Sequence, residues 1–246
     1  MKRLFLLGAV LTIPFTEQVR AQSFGDLWKK ADGIIKGGTS GNVGSLSNSE
    51  IISGLKQALE IGSKNAGNQL HTINGYFGNQ LIKILMPPEA QKVERALRSV
   101  GLGGEVDKAI LAMNRAAEDA AAQAAPIFIN AIKAMTIQDG LGILQGGNGA
   151  ATRYLKGKTT AQLTNAFRPV IENSLRKVDA TKYWAEVFRL YNQMPFVSKV
   201  NPDLTAYVTE KALSGLFVTV EQEENKIRQN PSARVTDLLR KVFGAK

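Results

Sequence analysis

Apolar residues along this chain recur at three- and four-residue intervals almost throughout, and strand-like alternation is nearly absent. Ser47-Asn48-Ser49-Glu50 has the spacing of a capping box, with Ser47 serving the Glu50 amide and Glu50 reaching back. Behind it Ile51, Ile52, Leu55, Ala58, Leu59, Ala66 and Leu70 share one face, which predicts a helix broken at Asn74-Gly75 and Gly78-Asn79. Leu81 to Met86 is expected to be a short extended segment before Pro87-Pro88, where the second proline suits the first turn of a helix. That helix carries Val93, Leu97 and Val100 and stops at Gly101. Glu105 to Ala125 is alanine-rich, with Val106, Ile110, Met113, Ala117, Ala121 and Ala124 along one stripe. Small side chains permit close approach, so this segment is expected to be a central packed helix, kinked or restarted at Pro126. Ile127, Phe128, Ala131, Ile132 and Met135 continue the apolar face, and Thr136 with Asp139 opens a short helix through Leu144.

After the loop Gln145 to Gly149 the pattern predicts a turn or two of helix holding Tyr154 and Leu155. Thr159 then caps a longer helix with Leu163, Phe167, Val170, Ile171 and Leu175, kinked at Pro169. Tyr183-Trp184, Val187-Phe188 and Tyr191 belong to another helix, ended near Pro195. Asn201-Pro202-Asp203 opens the last long one, whose middle from Ala212 to Val220 is apolar on nearly every side, as in a helix buried all round. Glu221 to Gln229 turns polar and is expected to emerge into water. Val235, Leu238, Leu239, Val242 and Phe243 form a closing amphipathic segment. The predicted fold is all-α, a single irregular multi-helix bundle.

The beginning of the chain differs in kind. Residues 1–21 have the parts of a cleavable signal peptide: Lys2 and Arg3, an apolar stretch from Leu4 to Phe15, then Val19-Arg20-Ala21, with cleavage expected before Gln22. The apolar run is about a dozen residues, short of the roughly twenty that a spanning helix needs. No later stretch is both long and apolar enough to span. Export is therefore expected, most simply to a periplasm. Ser23 caps a short helix from Phe24 to Lys36, and the Gly/Ser-rich run Gly37 to Ser45 links it to the rest. Residues 22–45 are read as an arm suited to meeting a partner, and 46–246 as the helical domain.

Composition changes the picture by exclusion. There is no cysteine, which rules out disulfides, a cysteine-linked lipid anchor, cysteine metal sites and thiol nucleophiles. Burial of apolar surface must then hold the domain. The formal net charge is +10. Removing Lys2, Arg3, Arg20 and Glu17 with the signal leaves 28 basic against 20 acidic residues, about +8. Anionic partners are favoured in general, but the basic residues are spread through every segment, so binding by charge alone to an envelope surface or nucleic acid ranks last.

Candidate chemistry is sparse. The single histidine, His71, sits at a helix end among polar residues and cannot build a histidine-rich zinc site. No serine lies in a Gly-x-Ser-x-Gly turn. Gly146-Gly147-Asn148-Gly149, with Arg153 and Lys156 behind it, invites an anion-binding reading. Gly157-Lys158-Thr159 resembles the end of a P-loop, yet the first glycine of that motif would fall on Thr152. Both are read as loops first. Glu221, Glu223 and Glu224 look like a solvated face. The polar residues set into otherwise apolar helices remain as candidates for a ligand site: Asn114, Arg115 and Glu118, and Arg168 beside Pro169. Arg115 and Glu118 have a helical ion-pair spacing. A buried arginine needs an internal carboxylate or a bound anion, and a structural salt bridge is the simpler of the two.

Several segments together resemble the bacterial family catalogued as domain of unknown function 4197. They are Glu50 to Glu60, Met113-Asn114-Arg115-Ala116-Ala117-Glu118, Ala166-Phe167-Arg168-Pro169, Asn201-Pro202-Asp203-Leu204, Lys211 to Phe217 and Arg234 to Gly244. The resemblance implies an exported helical protein and carries no established activity, cofactor or catalytic residue across. The expected function is non-enzymatic: binding of an amphipathic or lipid-like ligand, or of a cell-envelope protein, with no cofactor, metal or catalytic residue assigned. An enzyme using Arg115, Glu118 and Arg168 is the alternative.

Overall fold

The capping box opens the domain as its spacing predicts. The Glu50 amide donates to Ser47 Oγ at 3.3 Å, the Ser47 amide donates to Glu50 Oε2 at 2.7 Å, and helix α1, Asn48–His71, follows. The computed structural model describes residues 47–178, 180, 184, 193 and 203–229. The expected signal peptide, the arm and linker, nearly all of the segment around Tyr183 to Tyr191 and the closing segment from Val235 lie outside these residues; Trp184 is described and buried. Among the described residues there are seven α-helices and no strand: α1, α2 (Gln91–Ser99), α3 (Gly103–Ala121), α4 (Ala124–Lys133), α5 (Ile137–Gln145), α6 (Ala150–Arg176) and α7 (Leu204–Gln229). A 3₁₀ turn, Pro88–Ala90, leads into α2 and takes Pro88 at its start.

The alanine-rich helix α3 is central. It packs on α1, α2, α6 and α7, and Ala116, Ala117, Ala120 and Ala121 lose all exposure. The chain breaks at Ala122-Gln123 and restarts, which places Pro126 in the first turn of α4, where a missing N–H removes no helical hydrogen bond. Thr136 and Asp139 form a second complete capping box at the start of α5. Among the described residues no single helix is long and apolar enough to cross a membrane, and the apolar pair α4 and α5 bends by 108° at its break.

Two expectations are corrected. First, Thr159 starts no helix. It lies inside the continuous α6, where it is wholly buried and its hydroxyl donates to the Leu155 carbonyl at 2.6 Å. Leu155, Thr159, Leu163, Phe167, Ile171 and Leu175 are spaced four apart, so at about 100° per residue the buried stripe drifts around the helix. A drifting stripe reads as two short helices in sequence. In the fold it lets one helix pack in turn on α7, α3, α4 and α5. Second, the polar end of α7 emerges into water on one side only: Glu221, Lys226 and Gln229 are exposed, but Glu223, Glu224, Ile227 and Arg228 are buried.

Helices α6 and α7 run antiparallel, with Thr152 bonded to Glu224 at one end and Arg168 to Asp203 at the other. The middle of α7 is buried nearly all round, as its composition predicts. At Gly215 a Cβ would stand 2.8 Å from the ring of Tyr76 and 3.2 Å from Ile82 Cβ. A larger side chain must displace a fully buried tyrosine. Gly215→Val is therefore expected to destabilise by about 1–3 kcal/mol through overpacking, although a mid-helix glycine alone costs about 1 kcal/mol relative to alanine. A urea titration followed by circular dichroism reads this directly.

Candidate functional site

The predicted polar candidates Asn114, Arg115 and Glu118 lie together on the face of α3 that meets the connection from Thr72 to Pro87. That connection has no helix of its own until Pro88, so its buried amides and carbonyls need partners from elsewhere. Glu118, 3% exposed, supplies two. Its Oε1 accepts from the Tyr76 and Phe77 amides, each at 3.1 Å, and its Oε2 accepts from Arg115 Nη1. Asn114, wholly buried, treats Ile84 as a neighbouring strand would. Its Oδ1 accepts from the Ile84 amide at 2.9 Å, and its Nδ2 donates to the Ile84 and Ile110 carbonyls at 2.8 Å each. This accounts for the segment predicted to be extended. No strand forms there, but Ile82, Ile84 and Met86 turn inward while Leu81 and Leu85 face out, the parity of an extended chain.

Arg115 is only half-buried. Besides Glu118 it donates to Asn74 Oδ1 at 2.9 Å, and Asn74 holds a left-handed backbone with φ of 69°, which asparagine accepts better than most residues. His71 Nδ1 lies 3.0 Å from the Glu118 carbonyl; a carbonyl only accepts, so that nitrogen carries the proton. Tyr76 is fully buried and its hydroxyl donates to the Ala212 carbonyl at 2.7 Å. Burial and, secondly, the charge of Glu118 push this phenol far above its ordinary range, so it stays a donor.

Arg168 stands apart from this group. It is half-exposed and bonds Asp203 Oδ2 at 2.6 Å, while Asp203 Oδ1 accepts the Ala206 amide at 2.9 Å in the first turn of α7. The expectation that Arg168 sits inside a buried helix face is thus corrected: the drift of the α6 stripe turns it outward. Burial alone would raise the Asp203 carboxyl, but its bonds to Arg168 and the Ala206 amide outweigh that and hold it below its ordinary value. Half-exposed pairs contribute little, so Arg168→Ala is expected to change stability by less than about 1 kcal/mol, readable as a small shift in thermal melting.

A second buried polar cluster went unpredicted. Glu224 Oε2 accepts from the Thr152 amide at 2.9 Å and the Thr152 hydroxyl at 2.8 Å; Oε1 accepts from the Ala151 amide at 3.2 Å and from Arg228 Nε at 2.9 Å. Arg228 reaches on to the Ile143 carbonyl at 3.3 Å. Beside it, Glu223 accepts from Asn65 Nδ2 at 3.2 Å and pairs with Lys226. The signal was present in the spacing: Leu216, Val220, Glu224 and Arg228 fall four apart, so the glutamate and arginine continue an apolar face.

This cluster also disposes of both phosphate readings. Gly147 and Gly149 take positive φ, and the first amides of α6 do meet an anion, but that anion is the Glu224 carboxylate. Arg153 donates to the Asn148 and Gly146 carbonyls at 3.2 Å each, closing the loop on itself. Gly157-Lys158-Thr159 lies in mid-helix and forms no loop. Among the described residues no group of three or more His, Asp and Glu is placed to hold a metal.

No curated protein and no solved structure matches this chain. The model of one family, a protein of unknown function (DUF4197), matches residues 45–244, and with the match covering most of its length the chain belongs to that family.

Proposed function

We propose that the chain is an exported, non-enzymatic helical protein that binds an amphipathic, lipid-like ligand or a partner in the cell envelope. The observation that carries this reading is where the embedded polar side chains are spent. Asn114, Glu118 and Glu224 each hold backbone amides of another segment, with donors and acceptors matched. Groups so engaged work as fasteners, and engaging a substrate would mean releasing buried amides at a cost of about 1–3 kcal/mol each. What the surface offers in their place is a basic balance and several large exposed aliphatic residues. Both suit an amphiphile with an anionic head.

Native mass spectrometry of protein purified from its own cells tests the proposal. A reproducible bound mass with the fragmentation of a lipid supports the ligand reading. A consistently bare chain sinks it, and crosslinking in cells then tests the envelope-partner form.

A further inference from the structure

The connection from Thr72 to Pro87 is fastened to the bundle every few residues, yet it turns three of its large aliphatic side chains to solvent. Its backbone is held by Glu118 at Tyr76 and Phe77, by Asn114 at Ile84, and by the Tyr207 hydroxyl, which donates to the Leu85 carbonyl at 2.8 Å; Arg115 holds the Asn74 side chain. On the outward side Ile73, Leu81 and Leu85 are 79%, 69% and 56% exposed. Two cations of this region meet at Phe77. Lys83 Nζ stands 4.0 Å from the centre of the Phe77 ring, and the Arg115 guanidinium stands 5.8 Å from the same ring. Phe77 thus gathers both charges at one spot. Among the described residues Lys83 makes no ion pair of its own, and Asp107, on which its charge acts, is bonded to Arg98 at 2.7 Å.

We infer that this face docks on an anionic lipid surface, with Ile73, Leu81 and Leu85 entering the acyl boundary and Lys83 meeting phosphate headgroups, while Arg115 stays paired with Glu118. The inference rests on the amphiphile-binding reading above and gives it a seat and a partner class. Charge complementarity selects the occupant. Without residues 1–21 the chain carries a net charge of about +8, and aliphatic side chains flanking a cation match a bilayer boundary, where the apolar part sinks and the charged head stays with the headgroups. The few side chains involved fall short of the roughly 800 Å² that each protein partner gives to a standard interface. A backbone already fastened also loses little freedom on docking.

Vesicle co-sedimentation tests this with the full chain as cells process it. The vesicles are phosphatidylcholine alone and phosphatidylcholine mixed with phosphatidylglycerol. Binding is expected only to the anionic vesicles and is expected to weaken with salt. The combined variant Ile73→Ser, Leu81→Ser, Leu85→Ser is expected to lose at least about tenfold in affinity. Its melting temperature should stay near that of the parent, since none of the three is buried. Lys83→Gln is expected to lose about fivefold. Unchanged binding by the triple variant, or no vesicle binding by the parent, would overturn the proposal. So would light scattering that shows a dimer dissolved by the triple variant, which would make a second copy the occupant. A lipid mass that persists in native mass spectrometry while vesicle binding fails removes only this seat and leaves the broader reading in place.

Discussion

Glu224→Ala is expected to be among the most damaging single substitutions in the domain, lowering the unfolding free energy by about 3–5 kcal/mol. The change takes its carboxylate from Arg228, which is buried and makes two contacts to Glu224, Nε at 2.9 Å and Nη2 at 2.8 Å, and a neutral carbonyl such as that of Ile143 does not replace the lost charge. It also strips the Ala151 and Thr152 amides of their acceptor at the start of α6. The two losses are separable. Replacing the pair together, Glu224→Met with Arg228→Met, removes the uncompensated buried charge and is expected to recover much of the stability, because an apolar pair of similar volume often equals a buried ion pair. The lost cap remains and keeps the double variant about 1 kcal/mol below the parent. Urea unfolding of the three proteins measures both steps. A loss under about 1 kcal/mol in Glu224→Ala would mean that water reaches Arg228 and that the cluster is not closed in solution.

Glu118→Ala is expected to follow closely, at about 3 kcal/mol or more, for a different reason. Here the stranded groups are the Tyr76 and Phe77 amides of a connection that has no helix to satisfy them, and Arg115 loses its ion pair while keeping Asn74. Glu118→Gln keeps an acceptor oxygen for the two amides while giving up the charge, so it should retain most of what alanine loses. Hydrogen exchange distinguishes a local fastener from a general packing residue. In Glu118→Ala the Tyr76 and Phe77 amides should exchange well ahead of the core amides of α3, and in Glu118→Gln they should remain protected. Uniformly faster exchange throughout the bundle would show that the residue acts on the whole fold and not on this connection.

These two carboxylates were not equally legible. Glu118 was singled out because it stands in a stripe of alanines with Arg115 three residues before it, a local oddity that needs no knowledge of the fold. Glu224 sits in the polar run from Glu221 to Gln229 and has the same i,i+4 relation to Arg228 that a solvated helix face shows. Composition read that run as water-facing, and the apolar face that continues through Leu216 and Val220 was the stronger cue. The reading of α6 failed in a related way. A stripe repeating every four residues drifts across the helix surface, and a search for one fixed face divides it at Thr159.

The sequence by itself determined what depends on residues a few positions apart. The capping boxes at Ser47 and Thr136 and the small-residue stripe of α3 are of this kind, because the groups that decide them meet within one or two helical turns. Family membership is legible as well, since it rests on segments spread along the chain. Only the tertiary structure decided which polar residues are buried and what they hold. Asn114 meets Ile84 across 30 positions, Glu118 meets Tyr76 across 42, and Glu224 meets Thr152 across 72. A carboxylate or amide in a helix has the same local propensity whether it faces water or another segment's unpaired amides. Burial settles its role, and burial is a property of how distant helices pack.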